Sequence, residues 1–462
     1  MKKAGILIGS VAALLVALFF MLTTPVDHTP FYETSYFRES SLLMDSLKRS
    51  VTGTTDSIKA GFAQVSITPG LNSPVDLPAE GKFTKVPLAG FGSRKGRGAT
   101  GIHDSTFVKA VAVAVGRQRV IFVGADLLIM PPNLIDSVCL LLKKQGILRE
   151  ELVFSATHTH SGVGAWGPGF LGKQFAGEAN SAIQSWLVRQ IAEAVTSALN
   201  NLHPAQIGYG TFRAGAYTRN RLIGEKGIKN DDFGYLVLQQ TGGRKAVIGS
   251  FSAHSTTLGA GNMEISGDYP GYWARRMEKT SVDLALFLAG SVGSQSPVGE
   301  GEGFEKPRYI GESLADSLRE YLPHTSLSSQ VQLTAVTLRL PLPAFHFRLS
   351  SQRSLISAVG KKLMPEPQTP CLQAIRLGQM VWITTPADFS GEYAVQLKNN
   401  LAAKGFQANI SSFNGSYLGY IIPDRYFYLK EYEPQTMGWY GPSMGEYTMD
   451  LIRQLTELAT SH

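Results

Sequence analysis

The chain has 462 residues, 44% apolar and 17% charged, with 48 glycines and 23 prolines; this excludes a disordered or fibrous protein and leaves enough apolar surface for a large core. The net charge of +7 favours approach to an anionic membrane surface. Its densest basic patch, Arg94-Lys95-Gly96-Arg97-Gly98, has no interleaved aromatics, which argues against nucleic acid as a partner.

Met1-Lys2-Lys3 precedes an apolar segment that runs from Ala4 to about Thr23 without a charge. Roughly 20 apolar residues match a hydrocarbon core of ~30 Å, whereas a secretory signal needs only about 7–15. The reading is a transmembrane signal-anchor helix over residues 1–23, uncleaved, with the body outside the cytoplasm, periplasmic or extracellular; cleavage would make it a secreted protein. Residues 24–58, with Pro25, Pro30 and many Ser and Thr, read as a linker or stalk, and one domain is expected over 59–462.

Ala60–Pro69 alternates like a first strand, and a Gly-rich basic loop follows. Val108–Val115 and Val120–Leu127, joined by Gly116-Arg117-Gln118-Arg119, predict a hairpin. Asn133–Gln145 is apolar at helical spacing with Gly146 as its stop. The run Leu152-Val153-Phe154-Ser155-Ala156-Thr157-His158-Thr159-His160 reads as a buried strand that delivers two imidazoles on one face, about 6.5–7 Å apart at their Cα atoms. After a Gly-rich loop over 162–172, Ser181–Leu202 predicts an amphipathic helix, and strands follow near 206–212, 233–240 and 246–253. Helices near 270–280, 309–321, 391–404 and 446–460 separate strands near 283–289, 330–340, 371–385 and 407–412. The fold class is therefore α/β, a single large domain with mixed β-sheets flanked by helices. Cys139 and Cys371 lie in apolar surroundings, so one disulfide and two free thiols both remain open.

Four of the apolar strands run into polar residues: His158 and His160; His254 in Phe251-Ser252-Ala253-His254; Asp388 in Thr385-Pro386-Ala387-Asp388; and the loop Gly290–Pro297. Two imidazoles and a carboxylate with an open position form a catalytic zinc set. Rival motifs are weaker. Gly441-Pro442-Ser443-Met444-Gly445 matches Gly-x-Ser-x-Gly, but only His462 follows it. Gly162-Val163-Gly164-Ala165-Trp166-Gly167 fits a dinucleotide pattern, yet no helix opens at it, and it reads as a loop shaping the site.

Ala156-Thr157-His158-Thr159-His160-Ser161-Gly162 resembles the Thr-His-Thr-His-Ser-Gly segment of the neutral/alkaline, non-lysosomal ceramidases. The resemblance continues in order through Gly101-Ile102-His103-Asp104, Asn220-Arg221, Ser252-Ala253-His254-Ser255, Gly293-Ser294-Gln295-Ser296-Pro297, Pro386-Ala387-Asp388-Phe389, Tyr417-Leu418-Gly419-Tyr420 and Trp439-Tyr440-Gly441-Pro442. It implies one Zn2+ per chain held by His158, His254, Asp388 and Tyr420. It also implies that His160 faces the substrate, that Arg221 and Tyr432 serve the amide carbonyl, and that Ser296 has a supporting role. The implied reaction is hydrolysis of the N-acyl bond of ceramide or a related lipid amide, with the membrane as partner through the amino-terminal helix.

Two departures stand out. Asp388 takes the place of a glutamate, which calls for a small backbone shift or help from Glu392, and Ser294 takes the place of an aspartate. The carboxy-terminal β-sandwich domain of the family's animal and bacterial members is expected to be absent. These departures keep open an alternative, a membrane-anchored binding protein with lost or altered turnover.

Overall fold

The computed structural model describes residues 2–363 and 370–461, with side chains from residue 6 onward. Strand Thr54–Ser66 is the hub of a branched 12-stranded sheet. Its residues 54–57 pair with strand Gln330–Arg339, while 58–66 pair with Phe107–Val115 and 59–60 with His203–Arg213. One arm continues through Gln118–Ala125 to Leu152–Ala156. A second runs through Asp232–Gln240 and Lys245–Phe251 to Leu284–Ala289, and a third through Cys371–Leu377 and Met380–Thr384 to Gln407–Ser411. The single strand expected over 371–385 is thus a hairpin, turned at Gly378 with φ +64°.

The arms face each other across a core that includes Ile58, Phe62, Phe122, Leu286 and Trp382. Helices cover the outer faces: Pro132–Lys143 and Ser181–Asn200 on the first arm, Asp268–Thr280 and Glu305–Tyr321 on the second, and Gly391–Ala402 with Met444–Ser461 on the third. Their boundaries follow local chemistry. Asn180 caps the 181–200 helix by accepting from the backbone of Ala182 and Ile183, and Ser390 caps the 391–402 helix through Glu392. The α/β class with mixed sheets in one domain is as the hydrophobic pattern implies.

Several expectations are corrected. Residues 24–58 are not a stalk. They contain helix Ser35–Ser50, whose Met44 is 1% exposed within the third arm's core, a burial contributing about 1.5–3 kcal/mol. Ser40 in the same helix hydrogen-bonds the Tyr447 hydroxyl at 2.6 Å. The loop expected over 162–172 gives way to helix Gly169–Ala176. At the amino terminus Lys2–Leu22 is one helix, but among the described residues no helix is long and apolar enough to cross a membrane; Met1 and the side chains of 2–5, part of the anchor reading, lie outside the described residues. Cys139 and Cys371 are free thiols.

Candidate metal centre

Parallel strand pairs bring the site together at their carboxyl ends, where α/β folds open clefts. Leu152–Ala156 runs parallel to 118–125, Lys245–Phe251 to 284–289, and Met380–Thr384 to 407–411. Beyond the last of these, Asp388–Phe389 pairs in parallel with Tyr420–Ile421, which sets Asp388 directly beside Tyr420.

The geometry at the two histidines differs from the expected strand face. The strand stops at Ala156, and His158 takes a left-handed backbone with φ +61°, strain of the kind stored at functional sites. The rings of His158 and His160 are therefore perpendicular, at 89° and 5.0 Å between centroids. Phe413 stacks on His158 at 4.5 Å. His160 packs against Gly90, where a Cβ would lie 2.6 Å from the imidazole; only glycine fits there, at φ +117°.

His158 Nδ1 donates to the Leu128 carbonyl at 2.7 Å, and His254 Nδ1 to the Gln295 carbonyl at 3.0 Å. A carbonyl only accepts, so each ring carries its proton on Nδ1 and leaves the Nε2 lone pair for the cluster. Both Nε2 atoms point at Asp388 Oδ1, at 3.5 Å from His158 and 3.3 Å from His254. The three side chains are 4%, 2% and 0% exposed, and their ligand atoms lie within 4.8 Å of one another. His158 Nε2, Asp388 Oδ1 and both nitrogens of His160 are buried without a hydrogen-bond partner. Lone pairs facing each other across 3.5 Å repel unless a cation or an added proton lies between them. A His, His, carboxylate donor set fits zinc.

The polar shell continues outward. Tyr417 donates to Asp388 Oδ2 at 2.7 Å. Tyr420 donates to His254 Nε2 at 2.8 Å and accepts from Arg221 Nη2 at 2.8 Å. Arg221 Nη2 also lies 3.1 Å from His254 Nε2, so a cation bound there would displace that contact. Glu433, 3% exposed, holds Arg221 Nε at 2.6 Å and accepts from Ser294 Oγ at 2.6 Å.

Burial pushes His158 down to about 4 and takes His160 and His254 well below their ordinary value, so all three are neutral at pH 7. Burial raises Asp388 and Tyr420, and it takes the Tyr432 hydroxyl up to about 12. It also opposes the charge on Arg221, but Tyr420 and Glu433 outweigh it and push that pKa up. The histidine shifts make the stability of the metal-free protein depend on pH. Between the unfolded value near 6.5 and the lowered folded values, the unfolded chain binds protons that the folded chain refuses. Raised Asp388 acts in the opposite sense within the cluster, and so do the buried carboxyls of Asp126, Asp268 and Asp424 elsewhere in the fold. The histidine share is read by difference: between about pH 7.5 and 5 the urea midpoint of metal-free parent protein is expected to fall more, or rise less, than that of metal-free His160→Gln, and parallel profiles would mean that the imidazole is solvated.

Above the cluster is a cavity of about 830 Å³, lined by Phe91, Leu128, Ile129, Trp166, Phe175, Tyr432, Met437 and Trp439, with His158, His160, Arg221, His254, Asp388 and Tyr420 as its polar part. An apolar chamber with a few convergent polar groups suits a ligand with long apolar parts and one polar linkage. Of the eight residues expected at the site, seven line this cavity. Ser296 does not. It lies opposite Arg219 in a short strand pair, and Ser294, two residues earlier with φ +63°, takes the hydrogen bond to Glu433 instead. Glu392 is not a ligand either, since Arg425 and Tyr426 engage its carboxylate; Asp388 reaches the histidines unaided. Glu433 and Gln295 were missed. The signal for Glu433 was its place next to Tyr432, hidden among aromatics.

Fold and site define a class: an α/β domain with a buried His, His, carboxylate cluster able to hold a metal beneath an apolar cavity. Residues 78–297 match the family described as neutral/alkaline non-lysosomal ceramidase, N-terminal, in line with the sequence resemblance. The crystal structure of the neutral ceramidase from Pseudomonas aeruginosa superposes with a TM-score of 0.71 at 19% identity, over 88% of this chain and 75% of that one. A structure described as a ceramidase complexed with C2 gives 0.72 at 19% identity, over 87% and 75%. At that identity the likeness establishes the fold.

Proposed function

We propose that the protein is a zinc-dependent amide hydrolase that cleaves the N-acyl bond of ceramide or a related lipid amide, releasing a fatty acid and a sphingoid base or amine. The observation that carries the reading is the orphaned pair His158 Nε2 and Asp388 Oδ1, buried beside His254 in the wall of an apolar cavity. His158, His254 and Asp388 would hold the ion, with the Tyr420 hydroxyl next to them. Bound there, zinc supplies Lewis acidity, polarising a carbonyl and lowering the pKa of a water molecule toward about 7. His160, neutral and with both ring nitrogens unpartnered, receives a proton from the attacking water. Arg221 is fixed in charge, and Tyr432 remains protonated at neutral pH; both are donors suited to the oxygen on which negative charge develops. Ser294 with Glu433 steadies Arg221.

The domain is proposed to act outside the cytoplasm, held at a lipid surface by the amino-terminal helix. The large apolar side chains of that helix from Ile6 to Leu22 are 37–73% exposed, far more than a water-facing helix carries. A second reading, a ceramidase-like binding protein without turnover, is favoured by the contact of Arg221 with His254 Nε2. One experiment separates the two. Purified protein is expected to contain about one zinc per chain and to hydrolyse a panel of ceramides and other N-acyl lipids, losing both properties to a chelator and regaining both with zinc. Protein without metal or turnover leaves the binding reading.

A further inference from the structure

The apolar helix is not on a loose tether. Thr23–Pro25, which continues it, pairs in antiparallel fashion with Arg353–Leu355. Ile356 N donates to the Leu22 carbonyl at 3.0 Å, and Val26 N to that of Gln352 at 2.9 Å. Arg353 closes the joint. Its Nε donates to Thr23 Oγ1 at 2.9 Å, and its guanidinium lies 5.4 Å from the Phe19 ring centroid and 4.8 Å from that of Phe20. The chain then passes from 355 directly into helix Ser357–Leu363, which packs against helix Gly169–Ala176. Gly172 and Phe175 of that second helix line the cavity, while its Phe170 is 57% exposed.

A continuous path of hydrogen-bonded and packed elements thus joins the apolar helix to the rim of the cavity. The charges along it are mostly positive: Arg353 at the joint, Lys361 and Lys362 in the last turn of the 357–363 helix, and Lys173 next to the rim, with Glu178 paired to Lys173 at 3.3 Å. An apolar helix beside a basic band suits acyl chains beneath anionic headgroups.

We propose that the joint at Arg353 orients the domain on a phospholipid bilayer, so that the membrane receiving the apolar helix also receives Phe170, and the cavity takes its lipid substrate from the bilayer surface. This rests on the lipid-amide reading, and its first test does not use activity. A Phe170→Trp chain is mixed with vesicles of zwitterionic lipid containing about one anionic lipid in four, acyl chains brominated. Fluorescence quenching beyond that of the unsubstituted protein is expected. A Gly-Ser tether inserted after Leu22, or Arg353→Gln, is expected to abolish the excess quenching while the protein still floats with the vesicles. Equal quenching with the tether, no excess quenching in the chain without it, or no flotation of that chain would each overturn the proposal. Hydrolysis supplies the second arm. With the tether, turnover of vesicle-borne substrate should fall about tenfold through lost effective concentration, with detergent-dispersed substrate turned over as before; no turnover of either by the parent would sink the catalytic reading instead.

Discussion

Asparagine at position 388 is expected to cost the protein its metal and its hydrolysis while making the metal-free form more stable. Asp388 is 0% exposed, its pKa is raised by burial, and its Oδ1 faces two imidazole lone pairs with no hydrogen between them. Only a cation or an added proton makes that arrangement favourable. An asparagine of the same shape still accepts from Tyr417 and turns an N–H toward His158 Nε2, which otherwise has no partner. Satisfying a buried acceptor and removing a buried charge should add about 1–2 kcal/mol to the metal-free protein. The same change removes the one anionic ligand, so zinc content after dialysis should fall from about one ion per chain to near none, and hydrolysis to background. Metal analysis and thermal denaturation of both proteins with and without chelator provide the check. A variant that keeps its zinc, or one less stable than chelated parent protein, would contradict this account of the cluster.

What the sequence revealed of this site, and what it hid, follows from the range of the interactions. His254 and Asp388 were legible because an apolar strand that ends in a polar side chain is a local pattern. The α/β interleaving was legible for the same reason. The conformation at His158 was not. Thr157 N makes the last ladder bond to the Ala125 carbonyl, and contacts with Leu128 and Phe413 then turn the chain left-handed, contacts made by residues distant in sequence. The 35–50 helix was mistaken for a stalk because its inward stripe, Phe37, Ser40, Met44 and Leu47, has helical spacing but includes a serine, whose partner Tyr447 lies 407 residues away. Glycines at 169 and 172 disguised a helix whose Gly172 packs closely on Gly167. Glu433 sits in a π-helical turn, Tyr432–Thr436, without any periodicity to mark it, and its importance comes only from Arg221, 212 residues away.

That ion pair leads to the second large effect. Arg221→Met is expected to lower kcat by about 10²–10³-fold with little change in KM, because a donor aimed at developing negative charge acts mainly in the transition state. Zinc content should hold or rise, since the guanidinium no longer competes for His254 Nε2. Glu433→Gln tests the support behind it. The guanidinium would keep Tyr420 but lose its only carboxylate contact among the described residues. The expected stability cost is about 2 kcal/mol, below the usual 3–5 for a broken buried pair because Arg221 retains 28% exposure. Turnover should fall about 10–100-fold, as for loss of a supporting contact at a metal site. If Glu433 acts through Arg221, the double variant will be no slower than Arg221→Met alone, a coupling that independent roles would not produce. Additive losses in kcat would instead make Glu433 a separate contributor, and loss of zinc in Arg221→Met would move the guanidinium from the carbonyl to the metal shell.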